Sequence, residues 1–235
     1  KEGHIDMARL LLKHGADLVR PRHDGATPLS VAKGEMKHML DAAHSVECVW
    51  SLLDRGADVD QSQPPHGQTL LRDTSCRGHI DAVGLLIENG ANVNRLATDG
   101  HSPLYGACEH GHTEVVRLLV RKGAVVDRPE ADGRTPFCIA CRLRRLEVAT
   151  LLLARGADVN RAVQGMTALY VACEQGHADM VRLLLEAGAD LDRAREDGET
   201  PHRIATVLGD ARVLGAIEEV LARRADALEA ARAAA

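Results

Sequence analysis

The sequence predicts an all-α solenoid in which antiparallel helix pairs stack on one another and are linked by β-hairpin loops. Three short motifs recur in one phase along the 235 residues. The pair Gly-Ala begins at Gly15, Gly56, Gly90, Gly123, Gly156 and Gly188, with spacings of 41, 34, 33, 33 and 32 residues. A period near 33 residues indicates a repeated structural unit rather than one compact core.

The other two motifs keep this phase. A Thr or Ser, usually followed by Pro and an apolar residue, recurs at Thr27, Thr69, Ser102, Thr135, Thr167 and Thr200. The pair Gly-His begins at Gly3, Gly78, Gly111 and Gly176. Motifs that share one phase over most of the chain define the boundaries of each unit.

Residues 99–127 show how one unit folds. Ser102 is an N-cap residue, and Pro103 suits the first helical position, where its missing N–H costs nothing. The first helix ends near Gly111, and a second helix with apolar residues on one face ends at Gly123, a C′ glycine. Helices this short do not persist alone, so successive units must stack.

The order Thr-Pro-Leu, Gly-His, Leu-Leu, Gly-Ala-Asp-Val-Asn resembles the ankyrin repeat over roughly residues 1–222. We divide this array into a half repeat, six repeats, an insertion and a helical extension. These are residues 1–22, then about 23–64, 65–97, 98–130, 131–162, 163–195 and 196–222, with the insertion near 33–45 and the extension at 223–235. Because the first helix of the leading repeat is missing, we interpret the chain as a fragment of a longer array; the alternative is a natural, atypical N-terminal cap.

Composition excludes several partner classes. Twenty-nine basic and 34 acidic residues give a net charge of −5, and aromatic residues make up only 2%. There is no overall basic field and no base-stacking platform, so we expect no nucleic acid partner. No apolar run approaches a membrane span. With only six cysteines, we expect an intracellular, cytoplasmic protein, with the nucleus as the alternative location.

The resemblance implies protein–protein recognition by hairpin tips and first helices, without catalysis or a cofactor. We expect a monomer whose partner is another protein. One hypothesis is that this partner binds through an acidic segment. The candidate tip contacts are Arg95, Arg128, Arg134, Arg161 and Arg193. The candidate first-helix contacts are Tyr105, Glu109, His110, Arg142, Tyr170, Glu174 and Gln175.

A row of arginines follows the hairpin Asp or Asn of most units, and stacking would align it along one edge. This row could bind carboxylate or phosphate groups. Alternatively, the adjacent Asp127 and Asp192 hold some of these side chains. Repeat four also replaces Gly-His by Arg144-Arg145, and residues 128–158 around it carry six basic against four acidic residues. Their net charge of +2 indicates either a contact for an acidic segment or a solvated face with local ion pairs.

Trp50 lies just after the insertion, on a face of its helix that points to solvent in other repeats. One interpretation is that Met36, Met39 and Leu40 fold over it as a small apolar cluster. The other is an exposed docking patch that binds a partner. A further alternative treats the whole array as the targeting or scaffolding fragment of a larger multidomain protein that carries an enzyme, channel or ligase-adaptor module.

The cysteines and histidines follow the repeat. Cys108, Cys141 and Cys173 share one position in successive units, too far apart for a disulfide or a common zinc ion, so we predict that they are core residues and that there is no metal site. We also expect no redox activity from Cys138-x-x-Cys141, and local hydrogen bonding by His4, His79, His112 and His177. The resemblance further implies that the hairpin residues Asn94 and Asn160 are possible hydroxylation sites.

Overall fold

The computed structural model describes Val46, Val49 and residues 58–60, 62–63 and 68–234. Within residues 68–234, ten helices form five consecutive antiparallel pairs. The first helices are α1 (Leu70–Arg77), α3 (Pro103–His110), α5 (Pro136–Arg142), α7 (Ala168–Glu174) and α9 (Pro201–Leu208). The second helices are α2 (Ile80–Glu88), α4 (Thr113–Arg121), α6 (Leu146–Leu153), α8 (Ala178–Glu186) and α10 (Ala211–Ala234).

A short hairpin precedes the first described pair. Strand β1 (Ser62–Gln63) pairs antiparallel with β2 (Gln68–Thr69), with Ser62 opposite Thr69 and Gln63 opposite Gln68. A single bridge between Val163 and Met166 marks a later hairpin. All four connections between the described pairs, including this one, are tight turns that we call hairpin tips: residues 97–101, 130–134, 163–166 and 195–199.

The helix pairs stack as the repeat predicts. First helices pack against the first helices of the next pair, and second helices pack against second helices. The second helices α2, α4, α6 and α8 each place one fully buried leucine at an equivalent position, Leu86, Leu119, Leu152 and Leu184, and α10 places Ile217 there. One continuous apolar core therefore runs through the described pairs, and the predicted all-α solenoid is confirmed.

The predicted N-caps are confirmed in every described pair. The side chains of Thr69, Ser102, Thr135, Thr167 and Thr200 each accept a hydrogen bond from the backbone N–H three residues later. Pro occupies the first helical turn after Ser102, Thr135 and Thr200. Each such cap stabilises its helix by about 1 kcal/mol.

Repeat four ends its first helix without glycine. Gly78 and Gly111 adopt φ values of 76° and 77° at this position, whereas Arg144 has a φ of 56°. The Arg144 side chain donates to Asp179 in the next repeat, with Nη2 2.6 Å from Oδ2. This bond lowers the pKa of Asp179. Arg144 thus uses its charge to hold the following helix α8.

The neighbouring Arg145 replaces a histidine and keeps that residue's contact. His112 places Nε2 2.9 Å from the carbonyl oxygen of Cys76 in the preceding repeat. The equivalent contact in the next repeat is made by Arg145, which donates from Nε to the carbonyl oxygen of Glu109 in the repeat before it, at 3.2 Å. Both side chains bond the C-terminal end of the preceding first helix. Arg145 in repeat four therefore takes over the structural hydrogen bond that His112 makes in repeat three.

A ladder of side-chain bonds joins successive hairpins. Asp60, Asn94, Asp127 and Asn160 each accept the backbone N–H of a residue in the next repeat, at 3.0, 2.9, 3.0 and 2.8 Å. The two asparagines also donate from Nδ2, to the carbonyl oxygens of Gly123 and Gly188. An aspartate has no such donor, and the Oδ1 atom of Asp127 is buried without a partner.

A buried carboxylate supports another junction between repeats. Glu130 is 5% exposed and accepts from the backbone N–H of Ser102 at 2.8 Å and from its hydroxyl at 2.5 Å. Burial raises the pKa of Glu130, while the bonds from Ser102 act in the opposite direction. This carboxylate, from the hairpin tip 130–134, therefore fixes the N-cap of α3.

The last helix continues beyond the stack, as the sequence predicts. Arg182 on α8 lies 2.8 Å from Glu219 on α10, and Arg224 bonds the carbonyl oxygen of Leu185. Residues 221–232 are all exposed. No helix in the described ranges combines the length and apolar character needed to cross a bilayer.

Several predictions concern residues outside the described ranges. These are the insertion near 33–45 with Met36, Met39 and Leu40, the side chain of Trp50, and the residues His4 and Arg20 of the leading half repeat.

The substitution Asp127→Asn should stabilise the protein by about 1 kcal/mol, because the amide supplies the donor that Asn94 and Asn160 already use. Chemical denaturation of both proteins measures the change in the free energy of unfolding. The matched control, Asn94→Asp, should lower that free energy by a similar amount. An Asp127→Asn protein that is no more stable than wild type would contradict the ladder.

The substitution Glu130→Ala should lower the free energy of unfolding by about 2 kcal/mol, because it leaves the buried N–H and hydroxyl of Ser102 unpaired. Glu130→Gln keeps an acceptor and a second polar group in place and should cost less. Urea denaturation at pH 7 compares the three proteins. Equal losses in the alanine and glutamine variants would show that the bonds to Ser102 contribute nothing.

The raised pKa of Glu130 also predicts a pH dependence. The folded protein binds this proton more tightly than the unfolded chain, so the contribution of Glu130 to stability is present at low pH. It decreases as the pH rises from the unfolded pKa of about 4.3 through the raised folded pKa. Over this window, the free energy of unfolding of wild type should fall relative to that of Glu130→Gln. A difference independent of pH would refute the shift.

Candidate binding surface

On the first helices, a buried position that keeps the same residue lies next to a more exposed position that changes from repeat to repeat. Cys108, Cys141 and Cys173 are 0%, 1% and 1% exposed at one repeated position, as the sequence predicts. The next residue in each helix is Glu109, Arg142 or Glu174, and each of these is half-buried or exposed. His110 and Gln175 follow at exposed positions. We call these five outward residues the first-helix face.

The cysteines behind this face are chemically quiet. Burial raises the pKa of Cys76 to about 11 and that of Cys173 to about 12, and it raises the pKa values of Cys108 and Cys141 strongly. These thiols are therefore protonated and weakly nucleophilic at neutral pH. Among the described residues, no group of three or more His, Cys, Asp or Glu side chains is arranged to hold a metal ion.

Two predicted contact residues are not accessible. Tyr105 and Tyr170 are 3% and 4% exposed. The Tyr105 ring stacks on His101, with 4.4 Å between ring centroids, and its burial raises the pKa of the phenol. The Tyr170 hydroxyl accepts from Arg195 at 3.0 Å. The expected contact through these rings is wrong, because neighbouring tip residues cover them.

Arginines stand two residues before each hairpin tip, and this row, which we call the tip arginines, consists of Arg95, Arg128, Arg161 and Arg193 and divides into two kinds. Arg95 and Arg193 are exposed, Arg161 is half-buried, and none of the three forms an ion pair with a described residue. Arg128 instead donates to the carbonyl oxygen of Asn94 at 2.8 Å. The alternative in which Asp127 holds the adjacent arginine is wrong, because that carboxylate accepts the backbone N–H of Asp158. Arg128 therefore serves the contact between repeats.

Two further predicted residues lie together around a small cavity between repeats four and five. Its volume is about 60 Å³, and it is lined by Arg134, Cys138, Arg142, Val163, Gln164, Met166, Thr167, Ala168 and Val171. Cofactor and drug-sized sites occupy roughly 300–1,000 Å³. The cavity is therefore suited to one side chain rather than to a cofactor.

The two arginines that line this cavity differ in whether they are paired with a carboxylate. Arg134 donates to Asp132 at 3.1 Å. Arg142 forms no ion pair with a described residue, and its Nε is buried without a hydrogen-bond partner. The lining contains no acidic residue. One guanidinium group therefore faces the cavity with its charge unbalanced.

The hairpin tip beside this cavity is shorter than its neighbours. In repeat five, Val163 and Met166 bond each other across two central residues, Gln164 and Gly165, with φ values of 51° and 77°. The tips at 97–101, 130–134 and 195–199 close over three residues and carry Asp99, Asp132 and Asp197. Gln164 takes the place of these aspartates, and the shorter tip accounts for the 32-residue spacing of this repeat.

The tip aspartates are used elsewhere in the array. Asp99 accepts from the backbone N–H of His101 and lies 2.8 Å from Arg72 on the preceding first helix. Asp197 lies 3.3 Å from Arg195. Sequence reasoning selected Arg134 and Arg142 but not Cys138, Val163, Gln164 or Met166. The signal for these four was the one-residue deletion together with the missing aspartate.

Asn94 and Asn160 have both ends of their amides engaged by the next repeat. Their hydroxylation stays a prediction.

Comparisons with known proteins agree with this geometry. A family model described as "Ankyrin repeats (3 copies)" matches residues 74–163, and one described as "Ankyrin repeats (many copies)" matches residues 163–205. An ankyrin repeat protein of Fowlpox virus (strain NVSL) is 32% identical over 46% of this chain and 30% of its own length. Ankyrin repeat and SOCS box protein 6 of Homo sapiens is 33% identical over 40% of this chain and 22% of its own length.

The chain thus spans less than a third of the length of these relatives. The two family-model matches together run from residue 74 to residue 205, which is more than half of the chain. The stacked helix pairs, their caps and these matches show that the chain belongs to the ankyrin repeat family.

Proposed function

We propose that this chain is a non-catalytic protein-binding module that recognises its partner through the first-helix face and the free tip arginines. Ankyrin repeats generally mediate protein–protein interaction. The observation that carries the proposal is the contrast between adjacent positions of the first helices. The buried position is cysteine in three successive repeats, while the position next to it, which is half-buried at Glu109 and Arg142 and exposed at Glu174, changes its charge from one repeat to the next.

This contrast has a physical basis. A buried position is held fixed by the neighbouring repeats, because a change in volume there opens a cavity or causes a clash. An exposed position carries no such cost, so its residue can match a partner. Since the three charges stand on short, capped helices, their alternating signs are presented in a fixed order. Fixed charges of alternating sign favour specificity for a partner with the complementary pattern.

The tip arginines extend this surface. Arg95, Arg161 and Arg193 are outside the internal ion pairs of the described residues, so each can contact a partner carboxylate without breaking a bond of the fold. Arg128 is not included, because it holds the carbonyl oxygen of Asn94. We propose these three arginines as secondary contacts.

A second proposal concerns the protein that holds this array. The name of one relative joins ankyrin repeats to a SOCS box, and the array covers 22% of that protein. By analogy, the array would serve as the recognition arm of a longer protein with a different module elsewhere. An antibody raised against the array would test this by the mass of the native protein, and a native mass near 25.3 kDa would contradict it.

Charge reversal on the first-helix face should weaken partner binding strongly. The test captures partners from a lysate on the immobilised chain, identifies them by mass spectrometry and titrates a purified partner. The triple variant Glu109→Arg, Arg142→Glu, Glu174→Arg should weaken binding at least tenfold, because each attractive contact becomes repulsive.

The matched control reverses Arg121 and Arg155, which lie at the ends of second helices and form no ion pair with a described residue. It should bind within about twofold of wild type. A separate variant with Arg95, Arg161 and Arg193 changed to Ala measures the tip contribution. A partner that binds the first-helix triple variant as tightly as wild type would refute the proposal.

A further inference from the structure

We infer that the cavity between repeats four and five is a subsite for a glutamate side chain from an extended acidic segment of the partner. This inference rests on the proposed function and adds the chemistry of the partner. The observations that carry it are the unpaired Arg142, the shortened tip at Gln164 and the apolar walls of the cavity. We call the site the Arg142 subsite.

The first step concerns the positive charge. Arg142 and Arg134 both line the cavity, and the lining holds no carboxylate. Asp132 already pairs with Arg134 at 3.1 Å. Arg142 forms no ion pair with a described residue, and its buried Nε has no hydrogen-bond partner among them. Because Nε is covered, a ligand oxygen in the cavity would bond the terminal Nη groups of this half-buried side chain, and a carboxylate there would balance its charge.

The second step compares this junction with an equivalent one. Between α1 and α3, Asp99 of the following tip lies 2.8 Å from Arg72 on the preceding first helix. On α5, Cys138 occupies the position that corresponds to Arg72, and Arg142 lies one helical turn beyond it. The following tip carries Gln164 in place of Asp99. The array therefore supplies its own carboxylate at one junction and leaves this role to a partner at the other.

The third step selects the ligand. With Arg134 balanced by Asp132, the subsite has a single uncompensated positive charge, which matches the single negative charge of a carboxylate better than a phosphate dianion. Val163, Met166 and Val171 give the cavity apolar walls. These walls suit the two methylene groups of glutamate. A volume of about 60 Å³ accepts one such side chain.

The test begins with a phage library of random 12-residue peptides selected on the wild-type chain. Selected peptides should share a glutamate at a fixed position. A fluorescein-labelled peptide from this set is then titrated by fluorescence anisotropy. Arg142→Gln should raise its Kd about tenfold or more, because charge-assisted hydrogen bonds to the carboxylate are lost. The exposed Arg155→Gln, in the same repeat, should leave the Kd within twofold.

Two further arms make the assignment specific to the cavity. Gln164→Asp should also raise the Kd, because it restores an internal carboxylate that competes for Arg142, and aspartate tolerates the positive φ of this position. Replacing the peptide glutamate by Gln should weaken binding to wild type but cause no further loss in Arg142→Gln. Thermal melting of each variant confirms that it is folded.

The outcomes separate this inference from the proposed function. Peptides without a shared glutamate, or a glutamate whose removal costs the same in wild type and Arg142→Gln, would overturn the subsite. Tighter binding of a phosphoserine peptide than of the glutamate peptide would reassign it to phosphate. A library that yields no binding peptide also contradicts it. In each case, the partner titration decides the proposed function separately when it is run with a variant that reverses Glu109 and Glu174 and leaves Arg142 unchanged.

Discussion

Contact between neighbouring repeats is the constraint on which the rest of this structure depends. No first helix among the described pairs is longer than eight residues, and α2, α4, α6 and α8 have no more than nine. Such helices are marginal in water on their own. They persist because leucines at equivalent positions of successive pairs pack into one core. Stability is therefore distributed over nearest-neighbour interfaces rather than concentrated in one place.

Polar contacts between repeats follow the same periodicity as the core. The hairpin Asp or Asn accepts a backbone N–H of the next repeat, and His112 or Arg145 bonds the end of the preceding first helix. Different residue types fill one role at these positions, which shows that the role is set by geometry. Asp127 fills its role incompletely, since one of its oxygens is buried without a partner.

Irregularities in the repeat bring binding groups together. The loss of one residue shortens the tip of repeat five and removes the aspartate present in the tips of repeats three, four and six. Beside this tip lies a cavity of about 60 Å³ that is lined by Arg142, which forms no ion pair with a described residue. We propose that recognition of a partner occurs at this junction, where the hairpin tip departs from the repeat pattern.

The sequence by itself determined the local features: the repeat, the N-caps from Thr69 to Thr200, the C′ glycines and the buried cysteine position. These depend on residues within one turn of each other or on a periodic apolar pattern, so they can be read along the chain. Only the tertiary structure decided that Tyr105 and Tyr170 are covered, that Glu130 caps a distant helix and that Arg128 bonds Asn94. The bonds of Glu130, Arg128 and Tyr170 join residues 25–34 positions apart, and their side chains could equally have faced solvent. The stacking distance between neighbouring repeats determined which of them became buried.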